Sequence, residues 1–397
     1  MKSIKVRLEL NNKQQTLASK HAGTARFAYN WGLAKSQELI EQGGTRPSGI
    51  DLHKLWVAEV KSTHQWTYEV SKCAPQQAFR NLDEGFKRVR TGTGVKTPRF
   101  KKKGLKDSFY LEGAIRIEGN RIKLPKFGWL KCSEILPKAE VKNVVISRHS
   151  EHWFVSFKVE HQPTMTPKVR EKIGVDLGIK TLATMSDGSE QPAVKAYQKN
   201  AYRLKRRHRK LSKKYVKGAK RQSNNYYQAQ AKVANTHYRI GNIRQDVIHK
   251  LTTKLAKNHR EIVIEDLNIR GMSKNHKLAS AILDGGFFEF RRQLIYKAEW
   301  YGSQVTIANR YFPSSKMCSG CGNIKEKLEL KERVYHCEVC GLEIDRDLNA
   351  AINLENYNST VSYTGRLEKE SEACGVSKTT KSPRAEGHRE AGSQLQI

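Results

Sequence analysis

Residues 173–180 read I-G-V-D-L-G-I-K, and residues 261–268 read E-I-V-I-E-D-L-N. Each is a short apolar run closed by an acid, Asp176 in the first and Glu265 in the second. A run of this length bounded by turn signals reads as a buried strand, and Leu177-Gly178 marks a turn straight after Asp176. A second short strand follows over 181–185. Further on, the pattern predicts a long basic helical region over about 199–260, the strand 262–265, a helix over about 287–301 and a strand over 305–308.

The resulting order, β-β-(β)-α-β-α-β, differs from a doubly wound sheet, which needs a helix after nearly every strand. It suits an RNase H-like sheet, in which an antiparallel meander precedes the first crossover. In such a sheet the first and fourth strands are neighbours, so Asp176 and Glu265 end side by side. A third acid, Asp347, stands in D-R-D-L-N-A-A-I-N-L (345–354) at the start of a short amphipathic helix, a position that suits a carboxylate by capping and dipole alone. Singly, these acids read as a turn former, a partner for a surface lysine and a helix cap. Jointly they make a site for two Mg²⁺ ions about 4 Å apart acting on a phosphodiester. Asp266 and Asp345 compete for two of the places. Strand alternation favours Glu265, on the face of Val263, over Asp266, and residue chemistry leaves Asp345 and Asp347 open.

The pairs Cys318-x-x-Cys321 and Cys337-x-x-Cys340 are fifteen residues apart, each turning through a glycine-bearing knuckle. Four thiolates on two knuckles predict a closed, tetrahedral structural Zn²⁺ site. Cys73, Cys132 and Cys374 read as bystanders.

The remainder of the 397-residue chain sets the context. Its 73 Lys and Arg against 39 Asp and Glu give a net charge of +34, which calls for a polyanionic partner. No apolar run approaches the ~20 residues of a membrane span. The opening M-K-S-I-K-V-R-L-E-L lacks a signal-peptide core, and seven cysteines are too few for a disulfide framework. The expected location is therefore the cytoplasm. Residues 1–10 alternate as a strand, with helical periodicity from about 14 to 90, including a helix that Asp51 could cap. Strand patterns return after a basic loop, among them a hairpin turning at Glu118-Gly119-Asn120. This predicts a β-barrel-like module with a helical insertion. Beyond about residue 357 the chain is Ser-, Gly-, Lys- and Glu-rich and reads as a disordered tail. Between Lys199 and Arg221, 12 of 23 residues are Lys or Arg and none is acidic, and Arg99-Phe100-Lys101-Lys102-Lys103 forms a second basic patch.

Taken in order, T-A-R-F-A-Y-N-W (24–31), G-V-D-L-G-I-K, I-V-I-E-D-L-N, Y-F-P-S-S-K-M-C-S-G-C-G (311–322), C-E-V-C-G (337–341) and D-R-D-L-N-A-A-I-N-L resemble the transposon-encoded TnpB family, relatives of the type V CRISPR effector nucleases. The likeness extends over about nine-tenths of the chain. It implies a multidomain α+β protein: a wedge-like β module (1–12 and 91–165), a helical recognition insertion (13–90), a RuvC-like nuclease domain (166–312 and 342–357), a zinc-ribbon target-nucleic-acid-binding domain (313–341) and the tail (358–397). It implies Asp176, Glu265 and Asp347 as the Mg²⁺-binding catalytic triad, the acid before x-N-A-A deciding for Asp347. Guide RNA and double-stranded target DNA are the implied partners, with single-stranded DNA once activated, in a monomeric ribonucleoprotein.

E-V-S-K-C-A-P-Q-Q-A-F (69–79) resembles the family segment lying against a short motif beside the target, which makes Lys72 and Gln76 candidate readers. Cys73 and Pro75 stand there in place of larger apolar residues. Lys101, Lys102, Arg203, Arg206, Arg207, Lys213 and Lys214 are the candidate phosphate contacts, while base pairing supplies sequence choice. The expected activity is thus RNA-guided, Mg²⁺-dependent DNA cleavage. A catalytically silent guided repressor would be marked by loss of a triad acid, and all three are present. An unguided transposase or resolvase on the same sheet leaves the long basic helices and the N-terminal lobe without a role.

Overall fold

The computed structural model describes residues 1–92, 96–104, 107–219, 221–329 and 331–358. Cys374 and nearly all of the expected tail lie outside them. Strand β1 (Lys2–Glu9) buries Val6 and Leu8 and exposes Lys5, Arg7 and Glu9, as its alternation requires. Helix α1 (Asn12–Glu41) starts at a capping box of Asn11 and Gln14. Helix α2 (Gly49–Leu55) is capped by Ser48, with Asp51 reciprocating three residues on, so Asp51 completes a capping box and is not itself the cap. A π-helical turn (Trp56–Lys61), a 3-10 turn (Gln65–Glu69) and α3 (Cys73–Arg90) follow, packed around Trp56, Phe79 and Leu82.

The strands β2 (Ser108–Glu112), β3 (Arg116–Glu118), β4 (Arg121–Leu124), β5 (Gly128–Cys132), β6 (Asn143–His149) and β7 (His152–Val159) join β1 in one antiparallel sheet. Its order is β2-β6-β7-β1-β5-β4-β3. The barrel-like expectation is corrected here: β2 and β3 are opposite edges and do not pair, so no barrel closes. Packing gives the reason. Ala18, Ala22 and Ala25 of α1 and Ala74 of α3 fill the inner face against Phe109, Leu130 and Trp153, so helices take the place that a closing strand would occupy. Cys132 is buried in this core and Cys73 nearby.

The second sheet contains β8 (Arg170–Asp176), β9 (Thr181–Met185), β10 (Glu190–Pro192), β11 (His259–Glu265) and β12 (Gln304–Ala308). Its order is β10-β9-β8-β11-β12, with β8 to β10 antiparallel and β11 and β12 parallel to β8. The first and fourth strands are neighbours, as the element order predicts. The long basic helical region is a hairpin of α4 (Ala196–Ser212) and α5 (Asn224–Asn258), with Gly218 at φ 80° in the connection and a Ser223 cap starting α5. Then come α6 (Ile269–Met272), α7 (Ala279–Gly285) and α8 (Phe287–Tyr301). Helices α5 and α8 cover one face through Leu251, Leu255, Phe290 and Leu294 on Ile173, Val175, Ile262 and Ile264. After β12 the chain forms a two-stranded ribbon, β13 (Val334–His336) and β14 (Glu343–Asp345), and enters α9 (Arg346–Glu355) directly. Leu354 of α9, with Phe312 and Tyr357, covers Val263 and Ala308 on the sheet's other face. Among the described residues no helix is long and apolar enough to cross a membrane.

Candidate active site and cysteine ribbon

Two parities bring the acids together. Along β8, Ile173 and Val175 point to the α5–α8 core, so Gly174 and Asp176 point to the α9 side. Along β11, Ile262 and Ile264 face that same core, while Val263 faces α9. Glu265, two residues after Val263, shares its side. The parallel register pairs Val263 with Gly174 and Ile264 with Val175, so the next residues, Glu265 and Asp176, are lateral neighbours at the strand ends. Gly174 has no side chain because α9 crosses it. A Cβ there would overlap the Ala351 carbonyl oxygen and the Glu355 amide nitrogen, with Leu354 Cβ at 3.0 Å.

That close crossing sets Asp347 over the two strand ends. Asp345 is the N-cap of α9, its Oδ1 accepting from the Asp347 and Leu348 amides at 2.9 and 3.1 Å. Asp345 is thereby committed to the backbone, and Asp347, in the first turn, is left to face the groove. Asp266 is committed too, bridging Arg291 at 2.7 Å and Arg310 at 2.8 Å. A further acid in the groove, Asp284, pairs with Arg244 at 2.9 Å and accepts from the Tyr197 amide at the start of α4.

Asp176, Glu265 and Asp347 line one groove of about 780 Å³, whose walls also carry Lys180, Lys195, Lys316, Arg333 and Arg346. Lost hydration, then the charges of Glu265 and Asp347, hold the Asp176 carboxyl well above the usual carboxylate range, against the pull of Arg346. Lost hydration also raises Glu265, opposed by a hydrogen bond from the Ser314 hydroxyl. Arg346 Nη2 lies 3.5 Å from Asp347 Oδ1. Three oxygen donors whose negative charges oppose one another, half-removed from water, are the donor chemistry that hard divalent cations take.

The cysteines form a tighter cluster. The sulfurs of Cys318, Cys321, Cys337 and Cys340 all lie within 4.8 Å of one another, the one such group of Cys, His, Asp or Glu among the described residues. The Cys318–Cys340 and Cys321–Cys337 sulfurs are each 3.6 Å apart. A tetrahedron with Zn–S bonds of about 2.3 Å has edges of roughly 3.8 Å, so the quartet fits zinc. Gly322 and Gly341 take φ 76° and 70° to turn the knuckles. The ribbon is tied to α9 by two buried asparagines, whose partners lie too far along the chain for spacing to reveal. Asn349 Nδ2 donates to Met317 O at 2.7 Å, and Asn353 Nδ2 donates to Ser314 O at 2.8 Å and Met317 O at 2.6 Å.

The basic candidates fall in two regions. Arg203, Arg206, Lys213 and Lys214 are exposed on the α4 arm. Arg207 differs: its guanidinium donates to Lys232 O at 2.7 Å and to the Thr236 hydroxyl, tying α4 to α5. Lys101 and Lys102 lie in a loop that Asn30 pins through both Lys101 backbone groups, at 2.7 and 3.0 Å, with the Lys101 ammonium 3.8 Å from the Tyr29 ring centroid. Lys72 lines a separate groove of about 820 Å³ beside Lys61, Tyr68, Lys123 and Lys126. Gln76 is one turn further along α3. The backbone before Lys72 is held by buried His21, whose Nε2 accepts from the Ser71 amide at 3.0 Å, and whose burial lowers its pKa and keeps it neutral.

Comparison with known proteins agrees with this architecture. The family model OrfB_IS605, described as "Probable transposase", matches residues 156–276. A "Cas12f1-like, TNB domain" model matches 287–354, which contains the ribbon and all but the last residue of α9. A third, described as a helix-turn-helix domain, matches 1–45, where the structure has β1 followed by the single helix α1. "Putative RNA-guided DNA endonuclease InsQ" of Escherichia coli (strain K12) is 33% identical over 377 residues, covering 89% of this chain and 91% of that protein. A protein of the same description from Streptomyces pristinaespiralis is 34% identical over 394 residues, covering 96% of each. Among solved structures, Cas12f1 in a complex with sgRNA and target DNA shares the fold, with a TM-score of 0.51 at 15% identity over 89% of this chain and 84% of that one.

Proposed function

The chain belongs to the transposon-encoded TnpB family, and on that premise we propose that it is an RNA-guided DNA endonuclease whose cutting site is Asp176, Glu265 and Asp347. The observation that carries the reading is the β8–β11 register, which seats two acids of distant sequence side by side under the helix bearing the third. When bound there, Mg²⁺ ions supply the hard positive charge that lowers the pKa of water and neutralises a phosphodiester in in-line displacement.

The chain's own residues do the rest. Asp176, Glu265 and Asp347 hold the cations. Burial and the neighbouring acids push the Asp176 carboxyl above the ordinary carboxylate range, so its ionised form, the one that would hold a cation, is favoured by higher pH. Lys180, Lys195 and Arg333 at the groove wall draw in the phosphate backbone, and Arg346 balances Asp347. No covalent enzyme intermediate is needed, since positioning and charge carry the reaction.

The zinc-loaded ribbon, whose approach to the groove is through Lys316 and Arg333, guides the DNA strand towards the acids. Guide RNA lies on the basic α4 arm, through Arg203, Arg206, Lys213 and Lys214, and on the loop of Lys101 and Lys102. Lys72 and Gln76 face the duplex motif beside the target. We assign the wedge role to residues 1–12 and 91–165, the recognition role to 13–90, the nuclease to 166–312 and 342–357, and target-strand binding to 313–341. One chain acts with one guide, in the cytoplasm on nucleoid DNA, and cuts single-stranded DNA once activated.

The test is to sequence RNA that copurifies with the protein and challenge the complex with a library carrying its complement beside randomised sequence. Cleavage next to one enriched motif, dependent on Mg²⁺, is expected. Protein that carries no RNA yet cuts the library indiscriminately would overturn the guided reading.

A further inference from the structure

Glu265 is held by a side chain outside the acid set. The Ser314 hydroxyl donates to Glu265 Oε1, and Ser314 is 3% exposed, so water does not substitute for it. The carbonyl of the same residue accepts from Asn353 Nδ2 at 2.8 Å. That amide also reaches Met317 O at 2.6 Å, where Asn349 Nδ2 arrives at 2.7 Å. Asn349 Oδ1 in turn accepts from the Ser319 amide at 2.9 Å. Asn349 and Asn353, four residues apart on one face of α9, are 0% and 2% exposed. Buried amides are tolerated only when their hydrogen bonds are made, and here those bonds run to one short segment, 314–319.

That segment therefore touches three things at once: the Glu265 carboxylate at the end of β11, the helix that carries Asp347, and the first zinc knuckle at Cys318. Resting on the nuclease reading above, we propose that Ser314 is a positioning residue of the divalent-cation site. Its hydroxyl fixes the direction of the Glu265 carboxylate, and its backbone, clamped by Asn353, fixes how far Glu265 lies from Asp347. The zinc knuckle next to Met317 anchors the clamp, so one metal centre sets the geometry of the other.

Outer-shell partners of metal-binding carboxylates typically contribute about 10–100-fold in metal affinity. The test uses the full-length chain freed of nucleic acid, with Mn²⁺ as the probe, followed by electron paramagnetic resonance of the free ion. Ser314→Ala should weaken Mn²⁺ binding by about tenfold while one zinc per chain is retained, and Ser314→Thr, which keeps the hydroxyl, should bind as the wild type does. Asn353→Ala, which releases the Ser314 carbonyl but leaves the hydroxyl, should shift Mn²⁺ affinity in the same direction and keeps the test open if the first variant folds poorly. Wild-type Mn²⁺ affinity in Ser314→Ala, with binding lost in Asp176→Ala, would overturn the positioning role and leave the acid site standing. Wild-type affinity in Asp176→Ala would overturn both.

Discussion

Gly174 lies where β8 passes directly beneath α9, and replacing it with alanine is the sharpest perturbation the structure offers. The added methyl would overlap the Ala351 carbonyl oxygen and the Glu355 amide nitrogen, both helix backbone atoms that cannot rotate away. Leu354 Cβ, at 3.0 Å, closes the third side. Restoring ordinary contacts requires α9 to lift by more than about 1 Å from the sheet. Overpacking of this kind typically costs about 1–3 kcal/mol, and backbone atoms on the receiving side place Gly174→Ala at the upper end. The catalytic effect should exceed the stability effect. Lifting α9 carries Asp347 away from Asp176 and Glu265, and a displacement near 1 Å costs on the order of 100-fold in rate. Single-turnover cleavage under RNA saturation, paired with thermal melting and RNA retention, separates the two. We expect a folded protein with its guide bound and cleavage down by about 100-fold or more. A variant that cuts at the wild-type rate would refute the idea that the β8–α9 crossing distance sets the acid geometry.

The other expectations concern charge and metal. Asp176 is an acid whose folded-state pKa lies above its unfolded value, so without divalent ions the folded state loses stability as pH rises from about 4 through that raised pKa. Asp176→Asn should therefore melt higher than the zinc-loaded wild type above this window and alike below it; equal melting at pH 8 without added Mg²⁺ would contradict the repulsion described. Replacing Arg203, Arg206, Lys213 and Lys214 with glutamine should weaken RNA binding and flatten the slope of log affinity against log salt by about 3, measured by filter binding. An unchanged slope would move the RNA elsewhere. Cys337→Ser should drop zinc from one per chain towards none and lower the melting temperature, because zinc binding there is folding free energy; full zinc content by metal analysis would contradict it.

Much of the candidate site's arrangement is legible in the chain because it rests on parity and spacing. The acids at 176 and 265 end apolar runs, and a period of two decides which way each points once the strands are known to be neighbours. The cysteine pairs announce a candidate metal site by spacing alone. What stayed hidden depends on contacts between distant segments. Asp345 and Asp347 differ only because β14 runs into α9 without a loop, making Asp345 the cap. Asn349 and Asn353 look like the polar face of an amphipathic helix, and only the return of the 314–319 segment makes them a clamp. Ser314 reads as one more hydroxyl in a turn. Asp51 and Ser48 are equivalent caps by chemistry, and only the helix start at Gly49 makes Ser48 the cap and Asp51 its reciprocating partner. The open N-terminal sheet was likewise beyond strand patterning, since alternation records which face is buried and not whether a helix or a strand covers it. Gly174 had a visible cue, a glycine inside a buried strand, which marks close backbone approach.

The most direct measurement is cleavage of a plasmid carrying the complement of the copurified RNA beside its motif, by wild-type ribonucleoprotein and by Asp176→Ala with equal RNA content, in Mg²⁺. The account predicts cutting by the wild type and none by the variant. Cutting by Asp176→Ala at the wild-type rate would contradict it.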